Sequence, residues 1–149
     1  MKTSTKIEIF VAAAIVVGIA AFAVIDNRRT KSNEEAQEEL FRGVQFYEQG
    51  DYDSAIACFD EAIRSEVDMS SAYLYRGDAY FNTGDFDKAI QDYTHVIRRE
   101  SAQGAPWNKE QTMAQAYRKR GAAYEKRGDT ERAQADFQQA KELDATAGE

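Results

Sequence analysis

The sequence is poor in the residues that most often build catalytic and metal sites. It has one histidine, His95, and one cysteine, Cys58, among 149 residues. A single histidine cannot form a histidine-rich metal site, and a single cysteine cannot form an internal disulfide. Cys58 has no basic neighbour in the sequence that would favour its thiolate, so we expect it to pack rather than to react.

Motifs for phosphate and calcium are also missing. The nine glycines are spread along the chain and form no glycine-rich phosphate loop. The acidic pairs Asp51/Asp53 and Asp85/Asp87 lack the other ligands of a calcium-binding loop. Because no set of titratable residues converges in the sequence, we predict that the chain is not an enzyme and binds no metal or other cofactor.

Acidic residues outnumber basic ones in most of the chain. Residues 33–149 carry a net charge of −10, whereas residues 1–32 carry a net charge of +3. Nucleic-acid binding needs clustered lysine and arginine, so the acidic part argues against a nucleic-acid partner. Such a change of sign is typical of a chain whose parts lie in different surroundings.

One long apolar segment stands near the start of the chain, after a short tail of residues 1–8. Residues 9–25 are all apolar or glycine, and basic residues flank them on both sides. As a helix this segment would span roughly 25 Å, close to the thickness of the hydrocarbon core of a bilayer. We therefore predict a single-pass transmembrane helix over residues 9–25.

The sequence leaves the fate and the orientation of this segment open. Residues 21–23 match the small-x-small pattern of a signal-peptidase site, and cleavage there would release a secreted protein. Against cleavage, the apolar run is longer than a signal core, and Arg28 and Arg29 follow it as a stop. The positive-inside rule does not separate the two ends, but the lysines of the short tail favour a cytoplasmic tail and an extracytoplasmic body.

The rest of the chain repeats itself. Seven positions of a first copy recur 34 residues later: Gly43, Phe46, Gly50, Asp51, Ala55, Phe59 and Ala62 match Gly77, Tyr80, Gly84, Asp85, Ala89, Tyr93 and Val96. A third copy follows 44 residues beyond the second: Gly121, Tyr124, Gly128, Asp129, Ala133, Phe137 and Ala140. About ten residues are therefore inserted between copies two and three. A 34-residue period with this pattern of small and aromatic residues resembles the tetratricopeptide repeat.

This resemblance implies an all-α fold in which three helix-turn-helix copies stack into a short right-handed solenoid, preceded here by the transmembrane helix. The implied organisation is a linker over 26–35 and a repeat domain over 36–145, with copies at about 36–69, 70–103 and 114–147 and an insertion at about 104–113. The spacing of apolar residues predicts helices at about 34–48, 53–66, 70–82, 87–100, 109–126 and 131–144.

Small and polar residues have specific places in this pattern. One glycine in each copy is expected where its two helices nearly touch: Gly43, Gly77 and Gly121. A second is expected in the left-handed conformation that ends a helix, before an aspartate that caps the next one: Gly50, Gly84 and Gly128. Copy three has Gln134 and Lys141 where the other copies have isoleucine, as the polar outer face of a terminal repeat requires.

Stacked repeats of this family have a concave groove lined by the first helix of each copy, and the resemblance implies such a groove here. Matched position by position, its residues are Leu40, Val44, Tyr47, Leu74, Asp78, Phe81, Asn82, Arg118, Ala122 and Glu125. Family members that grip a C-terminal carboxylate have lysine and asparagine in copy one where this chain has Leu40 and Val44, so we expect no such clamp. The groove is apolar towards copy one, which suits an apolar or aromatic partner segment.

The sequence thus predicts a membrane-tethered scaffold or adaptor that binds a protein or peptide partner in the concave groove. Two alternatives remain. The apolar groove residues could instead contact a second copy of the chain, giving a self-assembling structural membrane protein. Cleavage of the apolar segment would instead give a secreted repeat domain.

Overall fold

The computed structural model describes residues 25–26, 30–65, 69–102 and 109–146. Its regular structure within these ranges is helical, and the six main helices are α1 at 30–48, α2 at Tyr52–Arg64, α3 at Ser70–Thr83, α4 at Phe86–Ala102, α5 at Lys109–Lys126 and α6 at Thr130–Thr146. This all-α arrangement of paired helices confirms the predicted repeat solenoid. The helix ends agree with the predicted ones within two residues, except that α1 begins at residue 30 rather than 34. Residues 30–33, which lie in the predicted linker and before the predicted start of the first helix, are therefore helical.

The predicted transmembrane segment lies, apart from Ile25, outside the described residues. In the part of the chain that the structure describes, no helix has both the length and the apolar character needed to cross a membrane.

A glycine turn joins the two helices of each copy. In copy two, Gly84 has a φ of +86° and its amide donates to the carbonyl oxygen of Phe81 at 3.2 Å. The carboxylate of Asp85 then accepts from the amide of Lys88 at 3.3 Å, at the start of α4. Copies one and three repeat this turn, with Gly50 at +80° and Gly128 at +88°. The predicted glycine turns and aspartate caps are confirmed.

The two helices of a copy touch at the other predicted glycine. A Cβ atom placed on Gly77 of α3 would lie 2.7 Å from Cε1 of Tyr93 on α4, whose side chain is only 1% exposed. Gly43 meets Phe59 in the same way in copy one, and Gly121 meets Phe137 in copy three. A side chain at these positions would collide with the ring, so the absence of Cβ sets the distance between the helices.

Successive copies stack through alanine and isoleucine. Ile90 of α4 packs with Ala123 of α5, and Ile97 of α4 packs with Ala116 of α5. Among the described residues, no further helix covers the outer face of α6, and Gln134 and Lys141 are exposed there as predicted. The ring of Phe137 is consequently 39% exposed, whereas its counterparts in the first two copies are buried.

A partly buried arginine links the two helices of copy two to each other and to copy one. The Nε and Nη2 atoms of Arg76 on α3 donate to the two carboxylate oxygens of Asp92 on α4, at 2.9 and 2.7 Å. Its Nη1 atom donates to Asp60 on α2 at 2.5 Å. Burial is the largest single effect on the pKa of Arg76 and lowers it, but the hydrogen bonds and negative charges of Asp92 and Asp60 together outweigh burial and raise the pKa above the usual value. The three bonds hold two copies in register.

Copy three has the same arginine–aspartate pair between its two helices, and copy one lacks it. Arg120 donates to both carboxylate oxygens of Asp136 at 2.8 Å and to Thr94 of copy two at 3.0 Å. In copy one, Arg42 occupies the arginine position but Cys58 stands where the other copies have aspartate. Arg42 instead pairs with Glu39 on its own helix, at 2.6 Å.

Candidate binding groove

The first helices of the copies enclose a groove with two adjoining cavities. One cavity, of about 260 Å³, is lined by Tyr47, Asp78, Phe81, Asn82, Tyr93, Lys119 and Ala122. The other, of about 310 Å³, is lined by Ser71, Leu74, Tyr75, Asp78, Gln115 and Lys119. Because both cavities share Asp78 and Lys119, they are neighbouring parts of a single groove. The structure thus brings together six of the residues predicted for the concave groove: Tyr47, Leu74, Asp78, Phe81, Asn82 and Ala122.

The other four predicted residues line neither cavity. Leu40 and Val44 are half-buried on α1. Arg118 is exposed on α5 and its guanidinium pairs with Asp144 of α6 at 2.5 Å. Glu125 is exposed near the end of α5. These residues lie on the first helices, as the repeat pattern implies, but outside the two cavities.

An ion pair crosses the middle of the groove. The ammonium of Lys119 on α5 donates to both carboxylate oxygens of Asp78 on α3, at 2.8 and 2.7 Å. The hydroxyl of Tyr93 on α4 donates to the same carboxylate at 2.7 Å. Tyr93 reaches the groove although it belongs to a second helix, because its ring crosses α3 at Gly77. Asp78 therefore already has a cation and a hydroxyl donor, so the groove floor does not require a charged ligand.

A second polar link joins copies one and two. The side-chain amide of Asn82 donates to the hydroxyl oxygen of Tyr47 at 3.0 Å and to the carbonyl oxygen of Asp78 at 2.8 Å. Burial, and after it the negative charge of Asp78, raise the pKa of the Tyr47 and Tyr93 hydroxyls above the usual value. Both hydroxyls therefore remain protonated at neutral pH, and Tyr93 remains a hydrogen-bond donor.

The repeat register adds Phe41 to the concave groove. Phe41 on α1, Tyr75 on α3 and Lys119 on α5 occupy the same position in their copies, and the latter two line the cavities. The side chain of Phe41 is 63% exposed. We therefore count it as a groove residue that continues the aromatic surface onto α1. Sequence reasoning missed Phe41, Tyr75, Tyr93 and Lys119, although the repeat period alone could have indicated all but Tyr93.

The polar groups in the middle of the groove already have partners. The Asp78 carboxylate accepts from the Lys119 ammonium and the Tyr93 hydroxyl, and the Tyr47 hydroxyl accepts from the Asn82 amide. Within the described ranges, no group of three or more histidine, cysteine, aspartate and glutamate residues could hold a metal ion. The groove offers a ligand aromatic and apolar surface beside polar groups that already have hydrogen-bond partners. This combination is typical of a binding surface.

Comparison with known proteins also finds tetratricopeptide repeats in this chain. Models of the family described as tetratricopeptide repeat match residues 42–105 and 114–146. Among solved structures, the second tetratricopeptide-repeat domain of Spaghetti (RPAP3), bound to the HSP90 peptide SRMEEVD, has a TM-score of 0.65 and 23% identity, covering 77% of this chain and 96% of that chain. The first such domain of Spaghetti, bound to the same peptide, has a TM-score of 0.64 and 24% identity, covering 74% of this chain and 80% of that one.

A third similar structure is the first tetratricopeptide-repeat domain of human RPAP3, with a TM-score of 0.63, 24% identity and the same two coverages of 74% and 80%. No curated protein sequence matches the chain. At these identities the solved structures show the fold alone. The two family matches together cover more than half of the 149 residues, and the chain belongs to the tetratricopeptide-repeat family.

Proposed function

We propose that the chain is a protein-interaction module, a scaffold or adaptor, that binds a segment of a partner protein in the concave groove. The observation that carries this proposal is the exposure of Tyr75 in the groove and of Phe41 at the same repeat position on α1, 37% and 63%. Large apolar side chains grouped on one exposed surface usually mark an interaction site. Two of the similar solved structures were determined with an HSP90 peptide bound, which supports an occupant of peptide size.

The groove favours an apolar or aromatic segment from within a partner chain. Tyr47 and Phe81 offer aromatic wall on one side of the Asp78–Lys119 pair, and Leu74 offers apolar wall on the other. Because that pair is mutually satisfied, a ligand gains little from a charge placed directly above it. Leu40 and Val44 also lack the groups that would hold a terminal carboxylate. We therefore expect side-chain recognition rather than recognition of a C-terminus.

We expect peptides that bind the chain to lose affinity when the exposed groove aromatics are replaced. The full chain, kept in mild detergent, would be used to select binders from a displayed library of short random peptides. Binding of the selected peptides to the Phe41→Asp/Tyr75→Asp variant should be at least about tenfold weaker, because exposed aromatic anchors dominate such interfaces. Fluorescence anisotropy of the labelled peptides measures the change.

The matched control adds the same charges outside the groove. Gln45 on α1 and Gln91 on α4 are exposed, and unlike Phe41 they have no counterpart in another copy that lines a groove cavity. Gln45→Asp/Gln91→Asp should leave peptide affinity within about twofold, since surface changes away from a contact are close to neutral. Equal affinity for the groove variant and the unmodified chain would refute the proposed groove.

We also propose that residues 9–25 hold this module in a membrane, with the repeats on the extracytoplasmic side. The unbroken apolar run and its flanking basic residues support the anchor. A tether confines the module to one surface and raises its effective concentration near partners there. The native protein should resist extraction from membranes by alkaline carbonate, and a reporter fused to its C-terminus should give an extracytoplasmic signal. A mature N-terminus near Val24, found by mass spectrometry, would instead indicate the secreted form.

A further inference from the structure

The concave groove changes in character from copy two to copy three. Positions that are apolar or aromatic in the first two copies become basic in the third: Leu40 and Leu74 correspond to Arg118, and Phe41 and Tyr75 correspond to Lys119. At another groove position the charge reverses sign along the stack, from Glu48 through Asn82 to Lys126. A partner segment lying across the groove therefore meets apolar surface first and basic side chains last.

The net charges of the groove helices follow the same direction. α1 has two basic and five acidic residues, a net charge of −3. α3 has one of each and is neutral, whereas α5 has five basic and two acidic residues, a net charge of +3. This gradient runs across the three helices that border the groove. It would orient a segment whose own charge is concentrated at one end, because the wrong orientation places like charges together.

Two basic residues on α5 flank a residue that lines the groove. Ala122 lines the groove, and Arg118 and Lys126 lie one helical turn before and after it, about 12 Å apart along the helix axis. Residues spaced by four share one face of a helix. Glu125, which is adjacent to Lys126, cancels one of these two positive charges, so this face keeps a net positive charge. A segment crossing the α5 side of the groove passes between the two cations.

Arg118 is able to exchange its present partner for a ligand. Its bond to Asp144 joins two side chains that are each about half exposed, 50% and 51%. Exposed ion pairs of this kind contribute little to stability. A carboxylate on a bound segment could replace Asp144 at little cost. Lys119 is different, since it is less exposed and holds both oxygens of Asp78 in the groove floor.

We propose that the segment recognised in the groove carries aspartate or glutamate side chains at the end that lies on α5, beside Arg118 and Lys126, and aromatic or aliphatic side chains at the end that lies on α1 and α3. This inference rests on the proposed function, because it specifies the partner of the same groove. The recognised acidic groups are side chains, so the segment can be internal to the partner.

The test uses the peptide selection on the full chain and a charge-reversed variant. Peptides enriched on the unmodified chain should have acidic residues clustered at one end, with aromatic or aliphatic residues in the rest. On Arg118→Glu/Lys126→Glu the enriched peptides should carry lysine or arginine at that end instead. A synthetic acidic-ended peptide should bind this variant about tenfold more weakly, and its affinity should no longer fall as the salt concentration is raised, because salt now screens a repulsion.

A matched reversal on α6 controls for the change in net charge. Arg132 and Lys141 are exposed on that helix, and neither they nor the residues at the same positions in the other copies line a groove cavity. Arg132→Glu/Lys141→Glu should therefore keep the acidic preference. Groove-dependent enrichment without acidic bias, unchanged by Arg118→Glu/Lys126→Glu, would overturn this inference and leave the proposed function standing. No enrichment that depends on Phe41 and Tyr75 would overturn the proposed function and this inference with it.

Discussion

Replacing Arg76 with methionine is expected to lower the free energy of unfolding by about 3–5 kcal/mol, the usual loss when one partner of a buried ion pair is removed. Arg76 donates hydrogen bonds to Asp92 and Asp60, and Asp92 is only 5% exposed. Methionine fills part of the space but leaves the Asp92 carboxylate buried without its cation. Urea unfolding followed by circular dichroism measures the loss, which should appear as a lower midpoint at an unchanged slope.

Copy one provides the matched control. Arg42 holds the equivalent position, but it is exposed, pairs with Glu39 on its own helix, and faces Cys58 instead of an aspartate. Arg42→Met should therefore change stability by no more than about 1 kcal/mol. A loss as large for Arg42 as for Arg76 would contradict the role assigned to the buried pair.

A double variant tests whether the stability is lost because the ion pair is missing or because the carboxylate of Asp92 is left unpaired. Arg76→Met/Asp92→Leu removes both members of the pair, and apolar replacements for a whole buried pair are often neutral. We expect it to recover most of the stability that Arg76→Met loses. If it is less stable than Arg76→Met, the loss does not come from an uncompensated carboxylate.

Alanine at Gly77 is expected to destabilise the chain by about 1–3 kcal/mol, the usual cost of overpacking a core. The added Cβ would lie 2.7 Å from Cε1 of Tyr93, and the ring has no free space because it is 1% exposed. Its hydroxyl is also held by Asp78. This collision should outweigh the roughly 1 kcal/mol by which alanine favours a helix over glycine. Thermal unfolding measures the difference.

Gly121 tests whether burial of the facing ring decides the cost. A Cβ at Gly121 would lie 2.8 Å from Cε1 of Phe137, almost the same distance, but that ring is 39% exposed on the terminal helix. It can move towards solvent, so Gly121→Ala should cost less than Gly77→Ala. Equal losses would show that ring burial is not the deciding factor, and a stabilised Gly77→Ala would contradict the close helix contact.

The repeat period made most of the fold predictable. Once Gly43, Gly77 and Gly121 are aligned, the helix ends, the glycine turns and the aspartate caps follow, because the two helices of each copy pack in the same way. The start of α1 was missed because residues 30–33 have no apolar stripe. Their helix is supported by polar contacts instead, including the bond from the hydroxyl of Ser32 to the carbonyl oxygen of Ser65 at 3.1 Å.

The groove was less predictable, because part of it depends on contacts between helices. Tyr93 belongs to a second helix and reaches Asp78 only because Gly77 has no side chain. The Arg76–Asp92 pair joins residues sixteen positions apart on different helices, a spacing that copy three repeats and that Cys58 interrupts in copy one. Because copy one lacks the aspartate, the repeat pattern in the sequence does not indicate this ion pair.

The central claim is that a partner segment lies in the concave groove, and photo-cross-linking tests it most directly. A photoreactive phenylalanine analogue would be placed in the full chain at Phe41, at Tyr75 or at Gln91, which is exposed on α4 outside both groove cavities. Irradiation with a selected peptide should give adducts at positions 41 and 75 and only background at position 91. Adducts at position 91, with none at positions 41 and 75, would contradict the claim.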